Sequence, residues 1–258
     1  MDCKKVEKDT IRFITTVVSE AKADGVVLGL SGGIDSSVVV TLCAKALGKD
    51  RVVGIFMPAS FTPVEDQADA RSLAERLGLS TLFVPMSPIV EKLLETVPMK
   101  RRERVAVGNV FARMRMLTNY FVANSLNRLV AGTGDRSEIL IGYFTKYGDG
   151  GADFLPIGHL YKTEVRELAE YLGLPSRLVQ KPSSPQLWEG QKAADEIPVD
   201  YSVLDPILRG LFDANESASH IAKRLNVQLD LVEKVQRAFE RSRHKRIMST
   251  TPPRPLTF

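Results

Sequence analysis

The chain of 258 residues is 44% hydrophobic and 26% charged, a globular composition long enough to bury a core without covalent or metal staples. No run approaches the ~18 apolar residues of a membrane span, MDCKKVEKD has no apolar leader core, and Cys3 and Cys43 belong to no CxxC or Cys/His cluster, which excludes a disulfide scaffold and structural zinc and points to a reducing cytoplasm. The net charge of +4 is local: residues 237–254 set Arg237, Arg241, Arg243, Lys245, Arg246 and Arg254 against Glu240 alone, a pattern that suits a phosphate-bearing ligand, a nucleic acid or a solvated helix end.

In chain order, residues 4–23 place Val6, Thr10, Phe13, Ile14, Val17, Val18 and Ala21 on one face, which predicts an amphipathic helix. The runs VVLGL (26–30), VVGIFM (52–57), TLFV (81–84) and RLVAG (128–132) are apolar at successive positions, as strands buried on both faces require. Helical patterns lie between them. Thr62-Pro63-Val64-Glu65 reads as an N-cap, a Pro at N1 and a capping-box Glu. Gly48 and Gly78 end helices over 34–47 and 64–77, and Ser87-Pro88 starts another. The expectation is an α/β fold, an open doubly wound parallel sheet flanked by helices over residues 1–160. Ligands of such sheets bind beyond the strand ends at the topological switch point, here the turns after Leu30 and Val130.

Beyond residue 160 the pattern turns helical, over 163–172, 201–213, 217–225 and 228–242, forming a C-terminal part that spans 161–258. Residues 181–199 carry three prolines and little periodicity, the signature of a long loop and a candidate lid. The Pro-rich tail 249–258 reads as extended.

Gly29-Leu30-Ser31-Gly32-Gly33-Ile34-Asp35-Ser36-Ser37 is a strand end, a glycine-rich turn and a helix start. Glycines leave backbone N–H groups open to a polyanion, and the helix N-terminus adds partial positive charge. No Lys-Ser/Thr follows the glycines, so it is not a Walker A loop, and it does not read GxGxxG either.

SGGIDSS resembles the pyrophosphate-binding loop of the N-type ATP pyrophosphatases, which cleave ATP to AMP and pyrophosphate. Other segments are similar to those of one branch, the NAD synthetases. They are Gly108-Asn109 through Ala112-Arg113-Met114-Arg115-Met116, Gly132-Thr133-Gly134-Asp135-Arg136-Ser137-Glu138, the stretch GYFTKYGDGGAD (142–153), Leu160-Tyr161-Lys162-Thr163 and His244-Lys245-Arg246. The resemblance runs from about 26 to 246. It implies a ligase that adenylates the nicotinate carboxylate of deamido-NAD with ATP and then displaces AMP with ammonia. It also implies Mg2+ on Asp35 and Glu138, which are the expected catalytic pair. ATP is expected at Gly29, Leu30, Ser31, Gly32, Gly33, Ile34, Asp35, Ser36, Thr133, Lys162 and Ser184. Deamido-NAD is expected at Arg113, Lys146, Asp153, His244 and Lys245. One departure falls in the lid. Pro182-Ser183-Ser184-Pro185-Gln186-Leu187 puts Pro and Gln where many relatives carry Ala and an acidic residue.

The length leaves no room for a glutaminase domain, and Cys43 lies in an apolar helix, so free ammonia is the expected nitrogen donor. Two rivals remain: a tRNA-modifying ATP pyrophosphatase using the basic end, and a nucleotide sensor without catalysis. The first lacks a cysteine pair and an aromatic RNA platform; the intact Asp35 and Glu138 weigh against the second. Neither a nucleic acid nor a membrane is an expected partner. A homodimer is expected, because the helix over 109–127 is apolar on two sides. Val110, Phe111, Met114, Leu117 and Phe121 form one stripe, and Met116, Tyr120 and Ala123 the other.

Overall fold

The computed structural model describes residues 1–247; the expected extended tail and Arg254 lie outside them. Four strands form one parallel sheet: β1 (Gly25–Gly29), β2 (Val52–Phe56), β3 (Ser80–Phe83) and β4 (Arg128–Val130), in the order β3-β2-β1-β4. β1 pairs with β2 from Val26↔Val52 to Gly29↔Ile55, and with β4 from Gly25↔Arg128 to Val27↔Val130. The chain runs outward through β2 and β3, then returns to the far side of β1. That reversal puts the switch point between β1 and β4, where the sequence pointed.

β2 is buried along its whole length and β1 along nearly all of it. β3 differs from the expectation of a buried strand: it is the sheet edge, and Leu82 and Phe83 are exposed. An apolar run fixes a strand but not its place in the sheet, and an edge strand has one neighbour only.

The helices α1 (Cys3–Glu20), α2 (Ile34–Leu47), α3 (Val64–Leu77), α4 (Ser87–Thr96) and α5 (Arg104–Ser125) cover the sheet. One core packs Ile14 and Val18 of α1 and Val38 and Leu42 of α2 against Val26 and Leu28. The other joins Val27, Val53 and Ile55 to Val90 of α4 and Phe111 of α5. The predicted cap of α3 is displaced by one residue. Pro63 precedes the first helical residue, and Thr62 Oγ1 accepts from Ala59 N at 3.0 Å instead of capping the helix. The two stripes of α5 are also redistributed. Phe111 turns inward against Phe61, whereas Leu117 and Phe121 are left exposed, at 55% and 71%.

After β4 comes α6 (Arg136–Ile141), and the C-terminal part holds α7 (Lys162–Tyr171), α8 (Ser176–Val179), α9 (Tyr201–Leu208), α10 (Ala218–Leu225), α11 (Leu229–Arg241) and the short α12 (Arg243–Arg246). α9 continues into a π-turn over Arg209–Asp213. Of these, α9, α10 and α11 share a separate core of Leu204, Ile207, Leu208, Ile221, Val232 and Val235, which Ile141 of α6 joins, whereas Val165 and Leu168 of α7 and Val179 of α8 pack into the first core of the sheet. Between α8 and α9 the segment 181–199 has no regular structure beyond a single 3-10 turn at Ala193–Asp195.

Candidate active site

A cleft of about 650 Å³ opens at the carboxyl ends of β1, β2 and β4. Leu30, Met57 and Gly132 continue those strands into its wall, and Ser183 to Trp188 close one side. Among the expected ATP residues, Gly29, Leu30, Ser31, Asp35, Ser36, Thr133 and Ser184 line it, with Glu138 and Lys245.

The glycine-rich turn is shaped by steric necessity at Gly32, which has φ +76° and where a Cβ would stand 2.0 Å from the Asp66 carbonyl oxygen. Only glycine fits such a close approach at positive φ. Gly33 then N-caps α2. The serines of the turn hydrogen-bond back onto it. Gly33 N donates to Ser31 Oγ at 3.2 Å, and Ser36 Oγ and Ser37 Oγ donate to Gly33 O at 3.1 and 2.8 Å.

Opposite the turn, α6 begins with a reciprocal cap. Asp135 accepts from Glu138 N at 2.9 Å while the Glu138 side chain reaches back to Asp135 N. This capping box holds both carboxyl groups beside Asp35, with one oxygen of each within 4.8 Å of the others. Lys162, at the start of α7, is fully buried behind them, and its Nζ reaches Asp35, Asp135 and Glu138 at 2.8, 2.7 and 2.9 Å. Asp35 and Glu138 keep 22% and 20% of their side-chain surface open, whereas Asp135 keeps none. Three carboxyl groups against one ammonium leave the cluster two negative charges in excess when ionised. Burial and the neighbouring carboxylates accordingly push Asp135 up to about 6 and Glu138 well above the ordinary range, and the same carboxylates raise Lys162. The Asp35 Oδ1 atom is buried without a hydrogen-bond partner. An excess of hard oxygen ligands with one orphaned acceptor fits a divalent cation.

A buried carboxylate on α9 braces this centre. Asp205 accepts from Ser137 Oγ at 2.6 Å and Thr163 N at 2.8 Å, and Ser137 Oγ accepts from Lys162 N. The C-terminal core thereby locks the first turns of α6 and α7 together.

The residues expected at deamido-NAD divide. Arg113 Nε donates to Lys146 O at 3.3 Å, and Lys146 Nζ donates to His244 O at 2.6 Å, so these three adjoin outside the cleft. Lys245 reaches the cleft and donates to the Gly142 and Phe144 carbonyls. Asp153 is engaged elsewhere, accepting from Val130 N at 2.7 Å and Tyr120 OH at 3.1 Å. Ser184 Oγ donates to Gln191 O at 2.6 Å within its own loop. Two further residues of the motifs, Asp135 and Arg115, take part without having been expected to. Asp135 was legible as a capping-box partner three residues before Glu138. Arg115 lines the cleft, donates to Met57 O and Gln186 O at 3.3 Å, and is lowered by burial to about 10, still charged at neutral pH; nothing in sequence distinguishes its burial from the exposure of Arg113.

A glycine-rich turn at a helix N-terminus, facing a cation-fitting carboxylate cluster at the switch point of a parallel sheet, is the frame of a nucleotide-dependent α/β enzyme. The NAD synthase family model matches residues 6–249, and the chain belongs to that family. It is 46% identical over 249 residues to the NH(3)-dependent NAD(+) synthetase of Archaeoglobus fulgidus, covering 96% of each chain. Among solved structures it resembles an NMN synthetase from Francisella tularensis, with a TM-score of 0.86 at 32% identity over 98% of this chain and 99% of that one. It also resembles an NH3-dependent NAD synthetase from Campylobacter jejuni, with a TM-score of 0.83 at 30% identity over 98% and 100%.

Proposed function

We propose that this protein converts deamido-NAD to NAD with ATP and ammonia, releasing AMP and pyrophosphate. The observation that carries the reading is the cluster of Asp35, Asp135 and Glu138 facing the SGGIDSS turn across one cleft. A nicotinate carboxylate oxygen attacks the α-phosphorus of ATP, the bond to the bridging oxygen breaks, and pyrophosphate departs. Ammonia adds to the activated acyl carbon, AMP leaves, and one proton is released. The attacking group is already an anion, so the work of the protein is placement and charge neutralisation.

Ser31, Gly33 and the α2 N-terminus offer donors to the departing pyrophosphate. Asp35 and Glu138, with Asp135 behind them, would hold Mg2+, which supplies Lewis-acid stabilisation of phosphoryl oxygens. Lys162 holds the carboxylates in place from the protein side. The segment 181–199 serves as a lid that excludes water from the adenylate. Arg113 and Lys146 provide a cationic surface for deamido-NAD, with His244 beside them. Arg113 shares its face of α5 with the exposed Leu117 and Phe121, at i, i+4 and i+8. A homodimer closing on this face would bury the apolar pair and bring the second substrate to the interface. Sedimentation of the active enzyme as a dimer, split by Phe121→Asp with loss of activity, checks it. Free thiols at Cys3 and Cys43 and the absence of a membrane-crossing helix among the described residues agree with a cytoplasmic enzyme.

Incubation with ATP, Mg2+, ammonia and deamido-NAD should yield AMP and NAD in equal amounts, with glutamine inert as donor. Formation of ADP without AMP defeats the reading. The likeness to the Francisella NMN synthetase gives a second reading, amidation of the mononucleotide, and supplying each acceptor alone in the same assay separates the two.

A further inference from the structure

Lys181 opens the segment 181–199 and belongs to none of the motifs that identify the family. Its three ammonium hydrogens have three acceptors: Asp66 Oδ1 at 2.7 Å, Asp69 Oδ2 at 2.7 Å and the Gly32 carbonyl oxygen at 3.0 Å. Both carboxylates sit in the first half of α3 and are almost buried. The third acceptor belongs to the glycine-rich turn itself.

A trans peptide points its C=O and the following N–H in opposite directions. With the Gly32 oxygen held by Lys181 on the α3 side, Gly33 N–H faces Ser31 Oγ, and Ser31 lines the cleft. The orientation matters because a carbonyl oxygen turned toward a polyphosphate repels it and an N–H attracts it. Two successive glycines are the place in a chain where such a peptide flips at least cost. The ammonium of Lys181 holds one of the two orientations.

The same anchor holds the cleft wall. Asp66 receives Gln186 Nε2 on its second oxygen, and the Gln186 carbonyl accepts from both terminal nitrogens of Arg115. Gln186 has φ +49°, a conformation that a non-glycine residue keeps only where its surroundings hold it. Ser184 to Leu187 line the cleft. One carboxylate on α3 therefore ties together the phosphate turn, through Lys181, and the wall that faces it, through Gln186.

We infer that Lys181, acting with Asp66, is a positioning residue for ATP: it fixes the Gly32–Gly33 peptide with its N–H toward the phosphates and couples that orientation to the seating of residues 182–187. The inference rests on the reading that ATP occupies this cleft. Lys181 touches no reacting atom, so its loss acts on the ATP side of the reaction alone.

The test compares wild type, Lys181→Met, Asp66→Asn and a control, Arg177→Ala. The control removes the other ion pair of Asp69 without touching Gly32 or Gln186. ATP affinity by calorimetry with Mg2+, the KM for each substrate and proteolytic cleavage within 182–191 are read for all four. Lys181→Met should weaken ATP by about tenfold, the scale of one lost charge-assisted hydrogen bond, with the KM for deamido-NAD within about twofold. ATP should no longer protect 182–191 from protease, and the control should match wild type. Unchanged ATP affinity in folded Lys181→Met overturns the inference. So does an equal loss for both substrates, which marks a general structural role. If Lys181→Met fails to fold, Asp66→Asn replaces it, with the same readouts and the same two overturning results. Wild type that binds no ATP fails the nucleotide reading and the inference with it, whereas wild type that binds ATP beside an unaltered variant fails the inference alone.

Discussion

The acidic centre and the basic C-terminal end treat charge in opposite ways. At the centre, Asp35, Asp135 and Glu138 share a single ammonium, so the folded protein keeps uncompensated negative charge beside the cleft. At the other end, three of the cations that stand out in the sequence, Arg237, Lys245 and Arg246, are spent on the protein itself. Arg246 donates to the Ile139, Leu140 and Phe239 carbonyls and to Ser242 Oγ, closing the ends of α6 and α11. Lys245 takes the Gly142 and Phe144 carbonyls, and Arg237 pairs with Asp230 and Glu233. Helix C-termini leave carbonyls without partners, and Lys or Arg there completes them. Charge counted along a chain is therefore not charge offered to a ligand: three scattered acids share one ammonium, whereas in the compact basic run Lys245 and Arg246 cap carbonyls and Arg237 is paired.

The contrast is broken most directly at Glu138. Glu138→Gln and Asp35→Asn should each lower turnover by about a hundredfold or more with the fold intact, because each removes ligand charge and not packing. Steady-state rates beside circular dichroism check this, and near-wild-type rates in both defeat it. At the basic end Arg246→Ala should do the reverse, costing about 1–3 kcal/mol of stability through orphaned carbonyls while the KM for ATP stays unchanged. Denaturant unfolding of the variant measures it.

The excess negative charge has a pH signature. Burial lifts the folded carboxyl of Asp135 to about 6, above its unfolded value near 3.8, and raises Glu138 well above its ordinary range as well. An acid whose folded pKa is raised binds more protons folded than unfolded, so stability rises as pH falls through the folded value and levels off below about 4. Chelator-treated protein should thus gain thermal stability between pH 7 and pH 5, and saturating Mg2+, which favours the ionised cluster, should flatten the slope. A metal-free melting temperature that falls over this window would remove the account of the centre. The smallest effect is expected at Arg237→Ala, within about 0.5 kcal/mol, since exposed ion pairs contribute little. A larger loss in the same unfolding assay would mean that the basic end is less evenly balanced than its geometry indicates.

The strands and the switch point were readable because a buried parallel strand needs an apolar run and a glycine-rich turn needs its glycines; both constraints are local. The acids were partly readable. Asp35 and Glu138 stand in recognisable motifs, and Asp135 begins a capping box that sequence alone could have flagged. The place of β3 at the edge, the inward turn of Phe111 beside the outward Leu117, and the partial burial of Arg115 beside the exposed Arg113 were not. Each depends on which neighbour the fold supplies, and periodicity states only that a neighbour is needed.

By itself the sequence determined a doubly wound parallel sheet, a tight turn that only glycine can build at Gly32, and the acids on either side of it. It could do so because steric fit, capping and apolar patterning act within a few residues. Only the tertiary structure decided that Lys162 would stand wholly buried among three carboxylates, that Asp205 of α9 would brace α6 and α7, and that Lys181 would close on Gly32 across 149 positions of chain. Those contacts join segments far apart in sequence. Which partners meet there is set by how the helices pack on the sheet, a property that no single stretch of the chain carries.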